Sequence, residues 1–150
     1  MNRWDMFERL FTSVLAVVQP FIIYLLYGDD RAISRAWDTP LQPLFIITNA
    51  LVSFFFFKLP KWRVPALLLL LLTSFSVDDH YVLHNISAIL FFIFSGVSLW
   101  NLKKFRYYVG IFLLSILFLF NGLFWAETWG IIVLVVYHMH VMFYTYFLKH

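Results

Sequence analysis

The stretch D-D-H-Y-V-L-H at residues 78–84 places two carboxylates and two imidazoles just before an apolar run. His80 and His84 are four residues apart and would project from the same face of a helix. Imidazole and carboxylate groups are ligands that zinc takes in proteins, and an open coordination position activates water for hydrolysis. The spacing therefore raises the hypothesis of a divalent metal, such as zinc, bound by His80 and His84.

Two further carboxylates, Asp38 and Glu127, stand at other predicted helix ends and are candidates to complete this site. The whole candidate cluster consists of Asp78, Asp79, His80, His84, Asp38 and Glu127. A structural interpretation competes with the chemical one. In it, Asp78 and Asp79 cap the start of a helix and His80 anchors that helix at a membrane interface. We favour the structural interpretation and keep the metal site as its alternative.

A second set of polar residues lies inside predicted apolar helices: His138, His140, Asn49, Gln19 and Asn121. His138 falls near the middle of the last helix, where a polar side chain usually faces the helix bundle and has a partner. It would contact a proton or ligand there, or form an interhelical hydrogen bond that stabilises packing by about 0.6–2 kcal/mol. We favour the packing role, and both interpretations predict a buried His138.

Composition indicates the class of protein. Hydrophobic residues make up 63% of the 150 residues and charged residues 13%, whereas soluble domains are about half apolar and about a quarter charged. The chain is therefore expected to be an integral membrane protein. It has no Cys, which excludes disulfide scaffolds and thiolate metal sites. The net charge of +3 is not a nucleic-acid signature, and no nucleic-acid partner is expected.

Six apolar segments predict an all-α fold, a polytopic membrane protein with six transmembrane helices bundled in one domain. The predicted helices cover residues 7–27, 40–57, 62–77, 81–100, 107–125 and 129–148. The third is the shortest apolar run, since about 20 residues are needed to cross roughly 30 Å of hydrocarbon. Ala126, Glu127 and Thr128 are predicted to form the turn before the last helix.

The charge distribution supports this count of helices. With six spans, nine of the 11 Lys and Arg residues fall on one side: Arg3, Arg9, Lys58, Lys61, Arg63, Lys103, Lys104, Arg106 and Lys149. Positive charge is retained on the cytoplasmic side, so both termini are predicted to be cytoplasmic, in a bacterial inner membrane or its equivalent. Lys103 should then face the cytoplasm and Asp30 the outside. Six carboxylates share the outer side: Asp29, Asp30, Asp38, Asp78, Asp79 and Glu127.

The stretch H-N-I-S-A-I-L-F-F at residues 84–92 resembles the H-x-x-x-A-x-x-F-F start of a middle helix in FRAG-type and damage-regulated autophagy modulator proteins and their uncharacterised bacterial relatives. Residues 33–45, I-S-R-A-W-D-T-P-L-Q-P-L-F, resemble the Thr-Pro sequence before their Phe-rich second helix. Glu127 resembles the glutamate that opens their final helix. Residues 74–77, S-F-S-V, depart from the proline that is more frequent in the bacterial relatives. The resemblance implies a six-helix bundle involved with membrane lipids or lipid-anchor processing.

Three functions fit these observations. The first is a membrane protein that interacts with or handles lipids, with membrane lipids as its partners. The second is a metal-dependent intramembrane hydrolase that uses His80, His84 and nearby carboxylates. The third is an accessory subunit that packs against a larger membrane complex or against itself. Under each of them His84 is predicted to turn inward, toward Asp38 and Glu127, because Ala88 continues its helix face at a packed interface.

Overall fold

The computed structural model describes residues 3–29, 32–101 and 103–145, and these residues form helices and loops without a β-strand. The α-helices are α1 (Arg3–Tyr27), α2 (Gln42–Phe57), α3 (Arg63–Ser74), α4 (Tyr81–Trp100), α5 (Tyr107–Leu113), α6 (Ser115–Phe118) and α7 (Leu123–Phe143). Short 3₁₀ segments cover Ile33–Asp38, Pro60–Trp62, Lys103–Phe105 and Leu119–Asn121. The predicted all-α class is thus confirmed for the described residues.

The helices pack as a closed bundle. Each long helix contacts its neighbours in the chain, and α7 completes the ring by packing against α1. Most positions in these helices are apolar, so apolar residues occupy both faces of each helix. Those that face other helices form the core, and those that face outward stay exposed. The central core includes Phe56, Trp62, Phe91, Phe112 and Tyr137. The bundle therefore surrounds an aromatic core to which α2, α4, α5 and α7 contribute rings.

Basic side chains gather at one end of the bundle. Lys58, just after α2, pairs with Glu8 near the start of α1 at 2.6 Å. Lys61 donates a hydrogen bond to the carbonyl oxygen of Asn101 at the end of α4, at 3.1 Å. Tyr108, in α5, lies 3.0 Å from Nδ1 of His140 near the end of α7. These contacts place the start of α1, the end of α2 and the ends of α4 and α7 together.

The opposite end of the bundle is acidic. The indole N–H of Trp125 donates to Asp29 at 2.6 Å, which joins the end of α1 to the start of α7. Arg35 pairs with Asp78 at 3.4 Å, which joins the segment Ile33–Asp38 to the loop before α4. Consecutive helical segments thus run between a basic end and an acidic end in alternating directions.

Three helical segments are long and apolar enough to cross a membrane: Trp4–Tyr27, Tyr81–Trp100 and Leu123–Phe143. Two shorter apolar helices, Gln42–Phe57 and Tyr107–Asn121, lie between them. Length and composition of the described helices are therefore compatible with a membrane protein, and α3, with 12 residues, is well below the span of a full bilayer.

Several predicted helix boundaries require correction. The first helix begins at Arg3 rather than at residue 7, α2 begins at Gln42 rather than at residue 40, and α3 ends at Ser74 rather than at residue 77. The α3 helix stops because Phe75 is extended, with φ −115° and ψ 126°, so its carbonyl group turns out of the helix. The predicted helix end at residue 148 lies outside the described residues.

The turn predicted at residues 126–128 was wrong. The segment 107–121 ends before Gly122, whose φ of 114° is a conformation that favours glycine, and α7 begins directly after it. Glu127 therefore lies inside α7, in its second turn. The residues around Glu127 are small or polar, as loop residues often are, but they lie on a buried face of α7.

Candidate functional site

His84 turns into the bundle, as predicted, and is only 1% exposed. Its Nδ1 lies 2.7 Å from the carbonyl oxygen of Phe75. A carbonyl oxygen accepts but does not donate, so Nδ1 carries the hydrogen and Nε2 keeps its lone pair. Among the described residues Nε2 has no hydrogen-bond partner. Within the described residues, Asp38 and Glu127, the predicted partners of His84, form no hydrogen bond with it; instead its ring connects the start of α4 to the end of α3.

The other members of the predicted cluster near α4 lie in water, and we call Asp38, Asp78, Asp79 and His80 the acidic rim. Asp79 does not cap α4: its carboxylate accepts from the Ser76 hydroxyl at 3.0 Å, and the α4 start has no side-chain cap. The expected capping by Asp78 and Asp79 is thus corrected, because Asp79 closes its own loop and Asp78 pairs with Arg35.

Asp38 is the rim residue with the most perturbed environment. Partial burial raises its pKa, and the neighbouring carboxylates of Asp78 and Asp79 raise it further, while Arg35 opposes them. The rim therefore concentrates negative charge at one end of the bundle. In the described part of the chain, no group of three His, Asp or Glu side chains comes together in a metal-binding arrangement. Zinc binding by His80 and His84 stays a prediction.

Glu127 is a buried carboxylate, 9% exposed. Its Oε2 accepts a hydrogen bond from the backbone N–H of Ile33 at 2.7 Å, and the N–H of Ser34 also donates to the carboxylate. The start of the segment Ile33–Asp38 therefore folds over the start of α7 instead of projecting into solvent. These two donors compensate the carboxylate for part of its lost hydration.

A cavity of about 90 Å³ extends through the middle of the bundle below Glu127. Its wall is apolar for the most part and consists of residues from α1, α2, α3, α4 and α7. Glu127 lines it near the acidic end and His138 toward the basic end, 11 positions apart on α7, which is about 16 Å at roughly 1.5 Å per residue.

Polar groups without partners face this cavity. Gln19 is 2% exposed and His138 is 4% exposed, and both line the cavity. No hydrogen-bond partner for Gln19 Nε2 or for His138 Nε2 is present among the described residues. Asn49, partly buried, lines the same space. The structure thus brings together three of the intramembrane polar residues that the sequence singled out.

His138 is buried, as predicted, but it is surrounded by aromatic rings rather than by hydrogen-bonding groups. Its ring centre lies 4.6 Å from that of Trp62, 5.0 Å from that of Phe56 and 4.9 Å from that of Tyr137. An interhelical hydrogen bond from His138 was the favoured expectation, and its Nε2 makes none within the described residues. One edge of this imidazole therefore remains available to the cavity.

His140 and Asn121, also expected inside the membrane, lie elsewhere. His140 is exposed at the basic end, where its Nδ1 lies 3.0 Å from the hydroxyl groups of both Tyr107 and Tyr108. Asn121 is exposed in the 3₁₀ turn before Gly122. Neither residue lines the central cavity.

Sequence reasoning missed several residues that form the cavity. Thr12 and Ser13 line it, and a Thr-Ser pair within an apolar helix was a signal that could have identified them. Ser34 and Ile33, which hold Glu127, were assigned to a polar outer loop. Their role depends on a contact between positions 94 residues apart, for which the local sequence has no signal.

Comparison of the chain with protein-family models, with curated proteins and with solved structures finds no match.

Proposed function

We propose that this chain is a multi-pass membrane protein that binds a lipid-like amphiphile, with the polar head of the ligand inside the bundle near Glu127. The observation that carries this proposal is the central cavity, with its apolar wall, its buried carboxylate, and Gln19 and His138, whose Nε2 atoms have no hydrogen-bond partner among the described residues. Binding sites for small molecules usually combine an apolar wall with a few convergent polar groups. An unpaired buried polar group costs about 1–3 kcal/mol, which a bound ligand would offset.

The proposed location of the site requires that the bundle lies in a membrane, and we propose six spans with both termini cytoplasmic. The alternation between a basic and an acidic end supports this topology, because the basic end would face the cytoplasm. Since the chain has no Cys, single cysteines can be introduced at Lys103 and Asp79 without a background. An impermeant thiol reagent should label intact cells only at position 79; Asp30, the other predicted outer residue, lies outside the described residues.

The resemblance to FRAG-type proteins supports the same class of ligand, because it implies a role with membrane lipids. The metal-dependent hydrolase stays a second proposal, for which the free Nε2 of the buried His84 is the supporting observation. A histidine whose Nδ1–H is held by a backbone carbonyl is oriented for metal binding through Nε2. Zinc measured per chain after purification tests it, with His84→Ala as the control.

Dodecylamine is a suitable probe of the proposed amphiphile site, tested on purified protein in phosphatidylcholine nanodiscs. A ligand that binds only the folded state raises the unfolding temperature in proportion to its occupancy. We expect dodecylamine to raise the unfolding temperature of the unmodified protein. Ala16→Phe, which fills the cavity from α1, should remove this shift.

Ile47→Phe is the matched control, because Ile47 is exposed on α2 and does not line the cavity. It should keep the full shift in unfolding temperature. An equal shift in the Ala16→Phe and Ile47→Phe proteins, or no shift in the unmodified protein, would contradict the proposed function.

A further inference from the structure

A second space lies on the outside of the bundle, between α4, the segment 107–121 and α7. It is an open groove of about 330 Å³, larger than the central cavity, and its wall is almost entirely apolar. Ile89 and Ile93 on α4 form one side of it, and Leu113, Ile116 and Leu119 form the other. These residues would face the hydrocarbon of a membrane, so the groove opens sideways toward lipid chains.

Glu127 and Phe92 line both the groove and the central cavity. A carboxylate at the end of an apolar groove is unusual, since polar groups inside a membrane normally face the protein or a partner. Two backbone N–H groups donate to this carboxylate, and the described residues include no Lys or Arg side chain paired with it. Among the described residues, therefore, no cationic side chain accompanies Glu127 where the groove meets the cavity.

The ring of Phe92 separates the two spaces. It lies against Gly130 of α7, where a Cβ atom would be only 2.7 Å from Cε1 of Phe92. The absence of a side chain at Gly130 is thus what lets the ring approach α7 this closely. Phe112 packs beside Phe92, with ring centres 6.0 Å apart, and also lies close to Gly130.

We propose that the groove holds the hydrocarbon chain of a single-chain amphiphile that reaches Glu127 sideways from the bilayer, and that the head group of this ligand is an amine or a hydroxyl. This proposal rests on the proposed function and names its ligand class and route. A carboxylate only accepts hydrogen bonds, so a donating head group complements Glu127 and an ammonium group also supplies a counter-ion. A fatty acid head group would place a second negative charge beside Glu127 and is disfavoured.

Carbodiimides test the route, because they modify carboxyl groups that they can reach. Dicyclohexylcarbodiimide dissolves in the hydrocarbon of the bilayer and should label Glu127 of the protein in phosphatidylcholine vesicles. A water-soluble carbodiimide should label the exposed Asp78 and Asp79 instead. The modified peptides are identified by mass spectrometry, with Glu127→Gln as the blank. Labelling of Glu127 by the water-soluble reagent alone would overturn the sideways route.

Competition then tests the ligand class. Dodecylamine and dodecanol should each slow the labelling of Glu127 by dicyclohexylcarbodiimide at least tenfold, and laurate should not. Ile116→Trp fills the groove on its exposed side and should reduce this protection at least tenfold. Ile47→Trp, at a similarly exposed apolar position outside the groove, should leave the protection unchanged.

The outcomes separate the two proposals. Protection by dodecylamine that is equal in the Ile116→Trp and Ile47→Trp proteins would overturn the groove while the central site for an amphiphile stands. Protection by laurate as strong as that by dodecylamine would overturn the head-group class. No protection of the unmodified protein by any of the three probes would contradict the proposed function as well.

Discussion

The acidic rim and the central cavity contain the same kinds of side chain, carboxylates and polar groups that hydrogen-bond, in opposite environments. Asp78 in the rim has 65% of its side chain exposed and pairs with Arg35, whose side chain is 46% exposed. Glu127 in the cavity is buried and depends on two backbone N–H groups. Water satisfies the rim, whereas only protein groups or a ligand can satisfy the cavity.

This difference supports the central cavity, rather than the rim, as the proposed binding site. An exposed ion pair contributes about 0–1 kcal/mol, so the rim can change with little consequence for folding. Each unpaired polar group in the cavity costs about 1–3 kcal/mol, and Gln19 and His138 both have such groups. A feature that lowers stability and converges on one cavity is better explained by ligand binding than by packing.

Replacement of Glu127 should give the largest contrast between the two regions. Glu127→Leu removes the acceptor for the Ile33 and Ser34 amides, and the free energy of unfolding should fall by about 2–4 kcal/mol. Glu127→Gln keeps an acceptor oxygen and should lose less. Asp78→Asn in the rim should change stability by under about 0.5 kcal/mol. Denaturation in mild detergent measures all three, and equal losses for Glu127→Leu and Asp78→Asn would remove the contrast.

A substitution at Gly130 tests how closely Phe92 packs against α7 beside the cavity. Gly130→Ala forces its Cβ against Phe92 and should lower the free energy of unfolding by about 1–3 kcal/mol. Gly110→Ala is the matched control, because nothing lies within 4 Å of its added Cβ. It should stabilise α5 by up to about 1 kcal/mol. Phe92→Leu should recover part of the Gly130→Ala loss; no recovery would mean that another contact causes it.

The two histidines near the start of α4 offer a smaller contrast. His84→Ala leaves a space in the core and removes the donor to the Phe75 carbonyl, so a loss of about 1–3 kcal/mol is expected. His80 is exposed and contacts Phe75 in a tilted arrangement with ring centres 5.3 Å apart, so His80→Ala should cost less than about 1 kcal/mol. Thermal unfolding of the two variants compares them, and a larger loss for His80→Ala would contradict these roles.

Asp38 should show the smallest effect, through pH. Its pKa is raised in the folded protein, first by partial burial and then by Asp78 and Asp79. Because its pKa is raised on folding, Asp38 is more favourable to the folded state when it is protonated. Its contribution to the free energy of unfolding is therefore greatest below the unfolded pKa of about 3.9 and declines as pH rises through the folded value. Asp38→Asn should therefore be slightly stabilising at neutral pH and neutral in acid. Destabilisation at neutral pH would show that its charge is favourable.

The sequence predicted what depends on local pattern. Long apolar runs located α1, α4 and α7, and the depth of His138 in its helix predicted its burial. Glu127 was assigned to a turn because its neighbours are small or polar, and its partners Ile33 and Ser34 come from a distant segment. The cavity and the groove are formed by residues from separate helices, so no single stretch of the sequence predicts them.

The most direct test of the central claim is the binding of radiolabelled dodecylamine to the protein in nanodiscs, after subtraction of the amount that empty nanodiscs take up. One saturable site per chain is expected in the unmodified protein and in Asp78→Asn. Glu127→Gln should bind at least tenfold more weakly, a difference of about 1.4 kcal/mol or more. Equal binding by Glu127→Gln and the unmodified protein would contradict a site at Glu127, and weaker binding by Asp78→Asn alone would place the site at the rim.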